Sequence, residues 1–134
     1  MEREIKFRGK NLKNGKWVYG NIQIPIYPFD EYYMWDEDKN QVQVDKDTIS
    51  QFIGQKDVLE KDLYEGDIMR SQYGRMYYIK YDENSSSFLA VQFGDDIAYP
   101  YILLKDWIHL FGKMVIGNIY DNKDLLKEGE VKNA

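Results

Sequence analysis

Along much of this chain, apolar and polar residues alternate with a period of two, and glycine, proline or asparagine interrupts the alternation at short intervals. Ile5 and Phe7 alternate with Lys6 and Arg8, and Trp17 and Tyr19 answer them on the far side of "KNGK". Two such runs around Asn14-Gly15 predict a β-hairpin, because that dipeptide accepts the backbone of a tight turn. Gly20 inside the return strand predicts a bulge or sharp bend before Ile22 and Ile24, and Pro25 and Pro28 then end the pattern. "QVQVD" (41–45) alternates cleanly. "DTISQFIG" (47–54) is ambiguous: Ile49, Phe52 and Ile53 fit helical spacing, whereas Thr48 and Ile49 favour strand, and strand is preferred.

Residues 55–67, "QKDVLEKDLYEGD", read as a polar turn region. "DIMRS" and the two halves of "RMYYIKYDENSSSFLAVQF" supply three more strands, with "DENSSS" as a hairpin loop. "YPYILLKDWIHLFGKMVIGNIYD" is apolar and β-rich, punctuated by Gly112 and Gly117. "DNKDLLKEGE" predicts one short C-terminal helix, capped by Asp121 or Asn122, with Leu125 and Leu126 inward and Gly129 as the stop. The expected fold is mainly β: a small barrel or strongly bent antiparallel sheets. One domain spans 1–134, in three parts: an N-terminal hairpin part (1–54), a barrel-like part (55–120) and a helical tail (121–134).

Composition changes this picture little but narrows the chemistry. With 134 residues, the chain is long enough to bury about two-thirds of its unfolded surface. An aromatic share of 16%, with twelve tyrosines against three prolines, supports a folded, sheet-forming chain. The absence of cysteine removes disulfides, thiol catalysis and thiolate metal sites, and fits a reducing compartment. No run of about 18 apolar residues is present to span a membrane. "MEREIKFRGK" is charged where an export signal needs its apolar stretch, so a cytoplasmic location is expected.

Net charge is −5. Arg3, Lys6, Arg8, Lys10, Lys13 and Lys16 nevertheless form a cationic edge at the N-terminus, and Trp17 or Tyr19 beside it offers a stacking surface for bases. A solvated strand and its turn account for the same residues. An acidic mimic of DNA is not supported, since a duplex carries about one charge per 1.7 Å of its axis.

Catalytic patterns are sparse. His109, the only histidine, lies in "WIHLF" between apolar neighbours and lacks a neighbouring partner for general-base work. Carboxylates are plentiful at 36–38, Asp45, Asp47, Asp57, Asp62, Glu65, Asp67, Asp95 and Asp96. Asp36, Asp38 and Asn40 come nearest to a calcium loop, but its glycine is missing. "GKMVIGN" and "GQKD" are not phosphate loops, and Ser85–Ser87 have no base within sequence reach. The expectation is a non-enzymatic chain with no cofactor and no metal.

Two segments remain. "FDEYYMWDEDKN" (29–40) interleaves aromatics with acids and has no clean period. Tyr32, Tyr33, Met34 and Trp35 either fold back onto a sheet or form an exposed patch for a partner or a second copy. In "DLYEGDIMR" (62–70), Tyr64, Glu65, Gly66 and Asp67 read either as paired carboxylates or as a turn leading into a strand. The turn is preferred, with Gly66 in a backbone conformation other residues avoid and Asp67 accepting backbone N–H groups.

Three blocks, "IKFRGKNLKNGKWVYGNI", "VDKDTISQFIGQKDVLEKDLYEGDIM" and "VIGNIYDNKDLL", resemble in order and spacing the YopX family of bacteriophage and prophage proteins. The likeness covers nearly the whole chain. It departs at 29–40, and at "VLEKD", where the family often has a glycine turn. The resemblance implies a small, mainly β, phage-encoded protein and carries no catalytic residues with it. Its "YEGDIM" followed by "YYIKYDENSSSFLA" is similar to the opening of SH3-like barrels, an analogy of fold alone. Together these readings lead to a phage accessory protein acting in the host cytoplasm through a protein partner and self-association. Nucleic-acid binding by the basic hairpin is the alternative.

Overall fold

The computed structural model describes residues 4–94, 101–103 and 114–126. The chain forms two compact units, Met1–Gly54 and Gln55–Ala134. In the first, β1 (Phe7–Asn11), β2 (Trp17–Gly20), β3 (Ile22–Gln23), β4 (Tyr32–Trp35) and most of β5 (Gln41–Lys56) pair antiparallel in the order β2-β1-β5-β4-β3. The alternating stretch 41–45 and the ambiguous stretch 47–54 therefore belong to one long strand. The β-branched Thr48 and Ile49 and the pairing available on both sides of β5 outweigh the helical spacing.

The N-terminal hairpin forms, but not on a two-residue turn. Asn11 N–H donates to the Lys16 carbonyl at 2.9 Å, enclosing residues 12–15, and of these only Gly15 has positive φ (71°). The side chains of Asn11 and Asn14 accept from Lys13 N–H (2.8 Å) and Lys16 N–H (2.9 Å). They satisfy the amides that the wider loop leaves over.

Gly20 marks a bend, after which β3 pairs with β4. The register irregularity lies on β5, between the pairs Arg8↔Ser50 and Lys10↔Asp45. Buried Thr48 fills it, accepting from Lys10 N–H at 2.9 Å and donating to the Asp45 carbonyl at 2.7 Å.

Val18, Met34 and Val44 form the core of this unit, with Phe7, Ile22, Tyr32, Val42 and Ile49 packed around them. Gly9 makes that packing feasible. A Cβ there would stand 3.2 Å from Met34 Sδ and 3.3 Å from Val44 Cβ.

The second unit contains β6 (Asp62–Tyr64), β7 (Asp67–Arg70), β8 (Met76–Asp82), β9 (Ser87–Phe93), β10 (Tyr101–Leu103) and β11 (Met114–Asn118). Its sheet runs β10-β9-β8-β7-β11, all antiparallel, and a single helical turn follows at 123–126. The proposed stop at Gly129 lies outside the described residues. Leu63, Tyr64, Ile68, Met69, Tyr77, Ile79 and Ala90 are buried.

Mainly β, antiparallel sheets are thus what the chain forms. Among the described residues neither strand path closes on itself, so of the two expected forms the antiparallel sheets are seen and a closed barrel is not, with β10 and β11 at the two edges of the second sheet. The short β6 fell within the region read as a turn, because three residues are too few to show a period.

"YEGD" is a tight turn held from both sides. Gly66 has φ +89°, its N–H donates to the Ile79 carbonyl at 2.8 Å, and its own carbonyl accepts from Ile119 N–H at 2.9 Å. Asp67, 2% exposed, accepts Tyr64 N–H on Oδ2 at 2.8 Å. We expect Gly66→Ala to destabilise the protein by about 1–3 kcal/mol, read as a lower urea midpoint. The new Cβ would sit in a left-handed backbone 3.2 Å from Tyr120 Cε2. An unchanged midpoint would mean that this turn is not formed.

Candidate functional site

Several of the carboxylates that stand out in the sequence accept hydrogen bonds from nearby backbone. Besides Asp67, Asp57 is buried and receives Leu59 and Lys61 N–H on Oδ1, both at 2.9 Å, and Val115 N–H on Oδ2 at 3.1 Å. Glu65 Oε2 accepts Tyr81 N–H at 3.3 Å. Asp36 closes the β4–β5 turn, accepting Asn40 N–H at 2.8 Å, so the nearest approach to a calcium loop is a hairpin turn. Among the described residues no three His, Cys, Asp or Glu side chains converge as metal ligands. Arg3, Asp95, Asp96 and His109 lie outside the described residues.

The basic row divides. The Lys6 ammonium is 3.2 Å from Glu4 Oε1 and 4.7 Å from the Phe52 ring centroid. Arg8 is buried, its guanidinium 4.6 Å from the Trp17 ring centroid, and the Lys10 ammonium is 5.4 Å from the same ring. Lys6 thus lies over Phe52, and Arg8 and Lys10 over Trp17, each cation–ring contact worth about 0.5–2 kcal/mol according to exposure. Lys13 and Lys16 stand exposed on the hairpin loop.

The aromatic quartet divides too. Met34 is fully buried and Tyr32 packs against the core. Tyr33 is half-buried; its hydroxyl donates to Glu31 Oε2 at 3.3 Å, and burial, followed by the Glu31 charge, raises its pKa. Trp35 remains 42% exposed. Most of this segment folds back because β4 pairs along β5, which turns Met34 and Tyr32 into the sheet.

The exposed apolar surface lies just upstream. Ile24, Ile26, Tyr27 and Phe29 are 70, 80, 94 and 67% exposed. They occupy the loop from β3 to β4, where Phe29 N–H donates to the Ile26 carbonyl at 3.0 Å and folds the loop into a turn with Tyr27 at its tip. Only Phe29 fell within the segment the sequence had singled out. The missed signal is electrostatic: residues 17–29 carry no charge in a chain that is 31% charged. Lone exposed hydrophobic residues are common, but a contiguous group of this kind marks a contact surface.

In the second unit, Asp82, Asn84, Ser85, Leu89 and Leu103 line a shallow depression at the end of the β8–β9 hairpin. Asp82 Oδ2 accepts Ser85 Oγ at 2.6 Å and Ser85 N–H at 3.0 Å, and Ser85 Oγ lies 2.7 Å from Ser87 Oγ. This carboxylate closes its loop by holding both the hydroxyl and the amide of Ser85.

The family model described as YopX protein matches residues 6–127. The chain belongs to the YopX family. No curated protein sequence matches it. Within the YopX frame, the three recognisable blocks are sheet scaffold. The first lies along β5, with Phe7 opposite Gln51 and Arg8 opposite Ser50. The second and third meet on the β7–β11 ladder, with Asp67 opposite Asn118 and Ile68 opposite Gly117. Among the described residues of this YopX chain, no helix is long and apolar enough to cross a membrane.

The Ser85 hydroxyl and amide lower the pKa of Asp82 from its ordinary 3.8. The charged form is therefore favoured in the fold, so its ordering effect on the loop is present above that value and is lost as pH falls through the lowered one. We expect carbon-detected NMR to place the Asp82 midpoint below 3.8 and Ser85→Ala to bring it back up. A midpoint that Ser85→Ala leaves unchanged would remove this cause.

Proposed function

We propose that this protein is a non-enzymatic accessory protein of phage or prophage, acting in the host cytoplasm by binding a protein partner. The observation that carries this is the exposed apolar loop 24–29 on an ordered sheet. Supporting it, each candidate acid whose hydrogen bonds are described above is engaged with backbone, as a structural rather than a chemical group is. The phage setting comes from family likeness.

Nucleic-acid binding through the basic hairpin draws less support, because Lys6, Arg8, Lys10 and Trp17 are already engaged with rings and carboxylate inside the unit. Lys13 and Lys16 alone offer few phosphate contacts, and affinity scales with the number of phosphates neutralised.

The test is quantitative affinity purification of the tagged full chain from bacterial cells, beside the variant Ile26→Ser/Phe29→Ser. The expected result is a stoichiometric companion protein that the variant loses while keeping its fold by circular dichroism. Light scattering of the purified chain separates a companion from self-association. A chain recovered alone and monomeric in both forms would contradict the reading. A low-salt shift of mixed DNA and RNA that Lys13→Glu/Lys16→Glu abolishes would favour the alternative.

A further inference from the structure

The loop carries information about what it fits. We propose that residues 24–29 form the knob of a contact with a different protein, whose receptor is an apolar cleft rimmed by lysine or arginine; this rests on the binding reading above.

Shape is the first argument. The Ile26–Phe29 turn projects Tyr27 at 94% exposure, so the surface is convex and calls for a concave receptor. Size is the second. Tyr27 and Phe29 can each bury about 150–250 Å², roughly 300–500 Å² together, and Ile24 and Ile26 add to it. That approaches the roughly 800 Å² that each side contributes to a stable complex.

Charge selects the rim. The loop runs directly into Asp30 and Glu31, and the β5 stretch that anchors it contains Asp45, Lys46 and Asp47. The Lys46 ammonium lies 3.1 Å from Asp30 Oδ2, and both side chains are largely exposed. This bridge ties the end of the loop to β5 and raises the pKa of Lys46, its hydrogen bond to Asp30 being the main cause. Four carboxylates against two ammonium groups, Lys46 and the Lys10 that β1 sets opposite Asp45, leave the base of the knob acidic, the complement of a cationic rim.

The same charges oppose the other occupants. Two copies meeting knob to knob would bring their acidic bases together. The depression in the second unit has Asp82 in its wall, the wrong sign for this knob. An anionic lipid surface is repelled as well, since binding there relies on lysine and arginine beside the apolar side chains.

Photocrosslinking tests this directly. Tyr27 is replaced by a benzoylphenylalanine in the full chain, cells are irradiated, and the adduct is identified by mass spectrometry. Binding of the purified adduct partner is then measured at low and high salt for wild type, Tyr27→Ser, and Asp30→Lys/Glu31→Lys. We expect a single heterologous adduct and an affinity reduced about tenfold or more by Tyr27→Ser. The wild-type affinity falls with salt, and the charge reversal weakens binding and abolishes that dependence.

An adduct with a second copy overturns this inference but leaves the binding reading in place. So does a partner whose affinity ignores both salt and the charge reversal. Flotation of the wild-type chain with phosphatidylcholine–phosphatidylglycerol vesicles, with adducts to lipid alone, overturns both. A monomer that forms no adduct does the same.

Discussion

A glycine backbone gripped from two directions organises the second unit. Gly66 gives its N–H to Ile79 on β8 and takes the N–H of Ile119 just beyond β11, so one residue ties the two neighbours of β7 together. The geometry demands a positive φ that other residues reach only with strain. Asp67 sits beside it, almost without solvent, and its carboxylate receives the Tyr64 amide. A buried carboxylate is tolerated when hydrogen bonds replace its lost hydration, and here the turn's own amide supplies one. The C-terminal side is locked in the same manner. Asn118 Oδ1 accepts Tyr120 and Asp121 N–H at 3.0 and 2.9 Å, while Asn122 Oδ1 accepts Asn118 N–H at 3.0 Å. What reads in sequence as an acidic motif is therefore a polar clamp that fixes strand entry.

Much of this was legible before the structure. Period-two alternation located β1, β2 and the start of β5, since half-buried strands expose every second side chain, while β7, β8 and β9 followed from strand-like runs set off by turn residues. The unusual backbone at Gly66 followed from the chemistry of turns. Other features left weaker traces. β6 is too short for a period. The hairpin loop widened to residues 12–15 because Asn11 and Asn14 could cap its amides, an option a dipeptide rule does not weigh. The open ends of the sheets depend on pairings between distant segments, which local pattern does not encode.

The candidate surface was harder to see because attention followed unusual side-chain mixtures. Aromatics interleaved with acids at 29–38 stood out, yet their periodicity was that of a short strand pairing with β5, and Met34 went to the core. The stretch before it looked like an interruption by proline. Its meaning lay in the absence of charge around apolar residues that no strand holds. The quoted family blocks end at Ile22 and resume at Val44, so this loop lies between the parts that build the scaffold.

The central claim is that Ile24, Ile26, Tyr27 and Phe29 are spare to the fold and available for contact. Urea unfolding of Ile26→Ser/Tyr27→Ser beside wild type tests it most directly. The account predicts a free energy of unfolding within about 0.5 kcal/mol of wild type, as expected of surface positions. A loss of about 2 kcal/mol or more, the size expected for apolar side chains removed from a core, would contradict it.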